Sequence, residues 1–439
     1  NLVGTKSFDE VIERVVEFSK NNPGEWIEGR GWDQNDWEIQ EFPNKERLDE
    51  LFPDQPIFIR RIDGHAALAN SEALKRASVT TETLIKGGII EQIDAKLTGI
   101  LIDNALELVK KAIPKPNKEQ LTKALLDAQN NCFAVGLTTV DDAGLDKREV
   151  ELIDKLHKEG KLNIKVYAML TDNEENLNHY LKNGPYKTAM LNVRSFKFYG
   201  DGALGSRGAC LLQPYSDVND SNHYGFLLNE ETYYRESAQK LYDAGFQMNT
   251  HCIGDSANRL FLNIYGSILP EGNDKRWRIE HCQVIDSNDL ASFGKYGIIP
   301  SIQPTHATSD MYWADERLGS ERVANAYAYQ DLKNQLGFLA LGTDFPIESI
   351  DPLKTFYAAV VREDLKGYPS GGYQMKNALS RKEALMGITI WAAISNFEET
   401  EKGSIEVGKS ADFIVLQKDI LHAPNEALKN NKVIATFVN

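Results

Sequence analysis

From about residue 136 onward, short apolar runs rich in β-branched and aromatic residues alternate with longer stretches whose apolar positions recur every three or four residues. The first kind reads as strands, the second as amphipathic helices. The runs are "GLTTVDDAG" (136–144), "NIKVYAML" (163–170), "VRSFKFYGDGALG" (193–205), "GFQMNTHCIGD" (245–255), "KRWRIEHCQVI" (275–285), "GIIPSIQP" (297–304) and "GFLALGTDFP" (337–346). Most end in Gly, Asp or Pro, and segments such as "KEQLTKALLDAQNNCFAVG" and "DSANRLFLNIYGSI" lie between them. Strand and helix units in regular succession predict a parallel sheet curled into an α/β, TIM-like (β/α)8 barrel. Seven strands are legible where such a barrel has eight.

Two of the strands end in His-Cys. Side chains alternate along a strand, so His251 and Cys252 should point to opposite faces, as should His281 and Cys282. The four cannot share one metal. A spacing of 30 residues is about one strand-plus-helix unit, which predicts neighbouring strands with His251 and His281 side by side at their carboxyl ends. Lys197 and Asp344 occupy the same kind of position, where barrels of this class gather their chemistry. Imidazole and carboxylate are natural ligands of a divalent metal, and a carboxylated lysine would be another.

Composition narrows the setting. The 439 residues carry 64 acidic and 49 basic side chains, a net charge of −15. That charge disfavours phosphate backbones, so nucleic acid is excluded as a partner. No apolar run approaches the roughly 20 residues of a membrane span, and a leader-like basic-then-apolar start is missing from residues 1–30. The four cysteines are far apart, with no C-x-x-C, which points to reduced thiols and the cytoplasm.

Five segments, "FKFYGDGALGSRGA", "NTHCIGDSAN", "RWRIEHCQ", "ALGTDFPI" and the tail "GSIEVGKSADFIVL", together resemble the amidohydrolase superfamily, in the branch that includes N-substituted formamide deformylase. The resemblance runs from about residue 26 to residue 416. It implies a metal-dependent hydrolase of non-peptide C–N bonds, with one or two divalent ions, zinc being the expected metal. Lys197 would be the carboxylated bridging lysine, His251 and His281 further ligands, and Asp344 both ligand and catalytic base. The family's first strand carries His-x-His, and none of the eight histidines here forms that pair. Two readings follow: the strand precedes Asn1 in the natural protein, or the barrel is degenerate. On either, the chain as it stands is expected to bind metal weakly or not at all. Residues 1–118 are then expected to be a lobe inserted over the barrel mouth, 119–392 the barrel, and 393–439 the carboxyl-terminal part of a small β-sandwich.

Trp32, Asp33 and His65 in the lobe, Arg207 in the glycine-rich segment and His306 after Pro304 are candidate substrate contacts. Each has a plainer reading. Trp32 and His65 could be structural, Arg207 could pin its loop, and Asn70-Ser71 before "EALKRA" looks like a helix start. Arg278 and Glu280 should form an ion pair on the outward face of their strand, and Cys252 and Cys282 should be small buried side chains. The substrate would be a small molecule, with self-association left open. An esterase or lactonase would use the same site, and a regulatory protein on a degenerate barrel would have lost it.

Overall fold

The structure is a computed structural model that describes residues 1–22, 25–220 and 222–439. The chain divides into two compact units. The first holds residues 1–115, 201–230 and 316–318, the second 116–200, 231–315 and 319–439. Residues 201–230, expected to belong with the barrel, fall in the first unit. Among the described residues no helix is long and apolar enough to cross a membrane.

The first unit is built on five strands, β1 (Ile27–Trp32), β2 (Ile57–Arg61), β3 (Ala66–Ala69), β4 (Gly88–Ile93) and β5 (Lys96–Asp103), in the order β1-β2-β3-β5-β4. Only β1 and β2 run parallel. Helix Phe8–Asn21 opens with Ser7 accepting from Glu10 N, and its apolar stripe, Val11, Ile12 and Val15, is buried with Ile27, Ile57, Ile59 and Trp32. Asn70 accepts from Ala73 N at the start of the next helix, as its sequence suggests.

The other face of the sheet carries a second apolar cluster, with Phe58, Ala67, Leu74, Leu101 and Leu106 buried in it. Asp103, at φ +51°, closes β5, and ideal Cβ atoms on Gly202 and Gly208 would each lie 2.3 Å from its Oδ2. A methyl group at either position has no room unless the carboxylate moves. Gly202→Ala is therefore expected to destabilise the chain by about 1–3 kcal/mol, as overpacking does. Urea unfolding of Gly202→Ala in the wild-type and Asp103→Ala backgrounds checks this. A loss that persists undiminished without the Asp103 carboxylate would refute the steric account.

The second unit carries the predicted parallel strands: β6 (Thr139–Leu145), β7 (Lys165–Thr171), the short β8 (Tyr186–Lys187), β9 (Leu191–Tyr199), β10 (Gln247–Cys252), β11 (Arg278–His281), β12 (Ile299–Ile302) and β13 (Ala340–Leu341). The main path is β6-β7-β9-β10-β11-β12-β13, every neighbour parallel, with β8 antiparallel on β9. These are the seven strands read from the sequence, curled as an α/β barrel sheet. β14 (Phe413–Leu416) and β15 (Val433–Phe437) form a two-stranded antiparallel ribbon, and Thr436 Oγ1 in it donates to Phe133 O at the end of helix Lys118–Ala134.

Inward and outward faces are told apart by what each side chain touches. Tyr167 on β7 donates to Gln247 Oε1 on β10, passing over β9, and Arg278 on β11 reaches Asp141 on β6 at 2.9 Å. Both contacts cross the hollow of the sheet. Thr250 and Trp277 instead meet Tyr265 of helix Asp255–Ile268, on the helix side. Arg278 and Glu280 therefore face inward, against the outward placement expected from alternation. Their ion pair is present, at 3.2 Å.

Candidate metal centre

The alternation argument failed because β11 ends irregularly. Glu280 pairs with His251 and His281 with Cys252, so the two histidines are one residue out of step. His281 and Cys282 then adopt φ +75° and +44°. The turn brings the His281 ring back toward the hollow, and its centroid lies 4.6 Å from that of His251. Non-glycine residues held in the left-handed region cluster at sites where geometry matters more than local ease. Asp344, after β13, is a third, at φ +56°.

Around this pair the strand ends converge. His306, in helix Pro304–Asp310, stacks on His281 at 5.8 Å and 18°, and its Nε2 lies 3.5 Å from Asp344 Oδ2. One ligand atom each from His281, His306 and Asp344 fall within 4.8 Å of one another. Small rotations would bring such a set to the roughly 2.0–2.2 Å bonds of zinc with imidazole and carboxylate, so the donors fit a divalent ion. Lys197 lies over the Tyr199 ring at 4.1 Å, and that ring is 5.5 Å from His251. Burial pushes the lysine amine below its ordinary range, with Glu280 and Asp344 pulling the other way. Burial likewise pushes His306 down to about 4, which keeps it neutral.

Two residues that the sequence did not single out hold this arrangement. Gln303 Oε1 is 2.6 Å from His281 Nδ1. Asn258, buried on the first turn of its helix, donates to Gly254 O at 2.9 Å and to Cys252 O and Val284 O at 3.2 Å, tying the ends of β10 and β11 together. Gln303 stands 22 residues from His281, so no local signal in the sequence ties the two. Asn258 inside "GDSAN" was equally hidden, because only the tertiary path brings Val284 to it.

The remaining predicted contacts lie in the first unit with roles of their own. Trp32 is fully buried, donates to Ile59 O at 2.9 Å and packs on Trp37 and Phe42, so its expected substrate role gives way to a place in the core. Asp33 caps a short 3-10 turn through Asn35 N and pairs with Arg61. His65 Nδ1 is 2.6 Å from Asp103 Oδ1. Burial alone would lower the His65 pKa, but the hydrogen bond and charge of Asp103 outweigh it and the balance is a rise. Arg207, at φ +59°, grips Asp217 at 2.7 and 3.2 Å, the loop-pinning role weighed against substrate recognition.

The amidohydrolase family matches residues 2–439. This chain belongs to the amidohydrolase family. Among relatives, the protein LONG AFTER FAR-RED 3 of Arabidopsis thaliana is 33% identical, over 100% of this chain and 77% of that protein. N-substituted formamide deformylase of Arthrobacter pascens is 24% identical, over 99% of this chain and 82% of that protein. A solved structure, an uncharacterized metal-dependent hydrolase from Pyrococcus horikoshii OT3, superposes with a TM-score of 0.76 at 30% identity, over 97% of this chain and 82% of that one. Membership makes this amidohydrolase a hydrolase on an α/β, TIM-like barrel.

Proposed function

We propose that this amidohydrolase cleaves a non-peptide C–N bond of a small molecule, an amide or an N-substituted formamide, with water activated at a zinc seat formed by His281, His306 and Asp344, with Lys197 and His251 as the neighbouring donors. The observation that carries the reading is the convergence of His281, His306 and Asp344 donor atoms within 4.8 Å, beside His251. The metal-dependent hydrolase of P. horikoshii supports the metal, and the formamide deformylase supports the bond.

When bound, a divalent ion supplies Lewis acidity and an acidified water at neutral pH. Asp344 takes a proton from the attacking water as the C–O bond forms. It then gives the proton to the nitrogen as the C–N bond breaks, so a carboxylic acid and an amine leave. His306 stays neutral, and its buried Nε2, 3.5 Å from Asp344 Oδ2, makes no hydrogen bond among the described residues and is offered as a further donor to the ion. Burial favours the uncharged amine of Lys197, the form that could be carboxylated and so become a further oxygen donor to an ion.

Removal of metal with a chelator should abolish turnover of N-substituted formamides and simple amides, and zinc should restore it. Metal analysis together with a panel of formamides, amides, esters and lactones checks the reading. Activity that survives complete metal removal would defeat the metal assignment, and a preference for esters or lactones would defeat the C–N assignment.

A further inference from the structure

Resting on the metal reading above, we infer that Gln303 is a positioning residue that decides which nitrogen of His281 is offered to the ion. An imidazole that binds through one nitrogen must carry its proton on the other, and the partner of that other nitrogen selects the tautomer. Gln303 Oε1 lies 2.6 Å from His281 Nδ1 and can only accept. Nδ1 therefore carries the hydrogen, and the lone pair resides on Nε2.

The amide orientation has its own support. Gln303 Nε2 donates to Ser301 O at 3.4 Å, so exchanging the oxygen and nitrogen would set two oxygens against each other there. The residue itself cannot drift. It is buried, His306 N donates to its carbonyl at 3.1 Å, and Tyr329 OH donates to the same carbonyl at 3.2 Å.

His281 needs such a partner more than His251 does. His251 lies within β10, where the pleat aims its side chain, and Gly200 N donates to its carbonyl at 2.8 Å. His281 leaves its strand at φ +75°, so its ring direction is set by what the ring touches rather than by the pleat. The 2.6 Å hydrogen bond that His281 Nδ1 donates to Gln303 Oε1 is a short polar contact that holds it.

The experiment compares zinc affinity, by competition with a chelating dye, in the full chain and in Gln303→Met, Gln303→Glu and His281→Ala. Gln303→Met keeps the shape and removes the acceptor, and zinc binding should weaken by about 10–100-fold. Gln303→Glu keeps an acceptor and should stay within a few-fold of wild type. Wild-type affinity in Gln303→Met, with zinc lost in His281→Ala, would overturn the inference and leave the metal reading standing. Zinc binding untouched in His281→Ala, or absent from wild type, would overturn both. Should Gln303→Met fail to fold, ring-nitrogen NMR of the wild-type protein decides instead, since a hydrogen on His281 Nε2 contradicts the assigned tautomer.

Discussion

Asp344→Ala is expected to lower kcat by about 10²–10⁴-fold, the range that a positioned general base contributes, with KM moved far less. The carboxylate lies at the end of β13 with Oδ2 3.5 Å from His306 Nε2, and its backbone is held at φ +56°. A side chain set in that conformation does not search for its proton partner on each turnover. Alanine removes a ligand as well as a base, so the two roles have to be separated. Asp344→Asn retains an oxygen donor and loses the basicity, and it should keep more metal than alanine while remaining nearly as slow. Steady-state kinetics at equal metal occupancy test this. Wild-type kcat in either variant with the metal retained would remove Asp344 from the chemistry.

Arg61→Met should destabilise the chain by about 3–5 kcal/mol, the penalty for leaving buried charges without their partner. Arg61 is buried between Asp33 and Asp63, and its Nε donates to Gln34 Oε1 at 2.8 Å. Burial raises both carboxyls. For Asp63 the charges of Arg61 and His65 reverse the balance and hold it low, whereas Asp33 stays raised. Without the guanidinium both would have folded-state pKa values above those of the unfolded chain. A raised folded pKa favours the folded state at low pH and loses that advantage as pH rises. The deficit of Arg61→Met should therefore be largest near neutrality and smaller in mild acid. Urea midpoints at the two pH values decide it, and a deficit that grows on acidification would contradict the assignment of the strain to Asp33 and Asp63.

The strands were legible because most of the β-rich runs end at a residue that breaks them, and seven such runs in the second unit are strands of one parallel sheet. The placement of His251, His281 and Asp344 was legible too, since each lies at or just after the end of its strand. What could not be read was phase. Taking His281 as inward by simple alternation sends Glu280 and Arg278 outward, and a single positive φ at His281 reverses that conclusion for the strand. Periodicity reports that neighbours differ, never which of them faces the hollow. Gln303 and Asn258 were hidden because their roles depend on carbonyls and ring nitrogens far away in sequence. For Arg207 and Trp32, which the sequence left open between ligand and structural roles, the contacts seen are those of their own loop and core.

The hollow of the sheet is lined with Tyr167, Lys197, Gln247, Asn249, Arg278 and Glu280, where barrels of this class ordinarily stack Val, Ile and Leu. Neither amide atom of Asn249 makes a hydrogen bond among the described residues. The apolar mass lies on the other face, where Trp277 meets Tyr242 and Tyr265, and Phe198 meets Tyr233. Cohesion and reactivity thus occupy opposite sides of one layer of backbone. The inner wall is therefore held by polar pairs, Tyr167 with Gln247 and Arg278 with Asp141 and Glu280, so a change of one member there has to be matched by its partner.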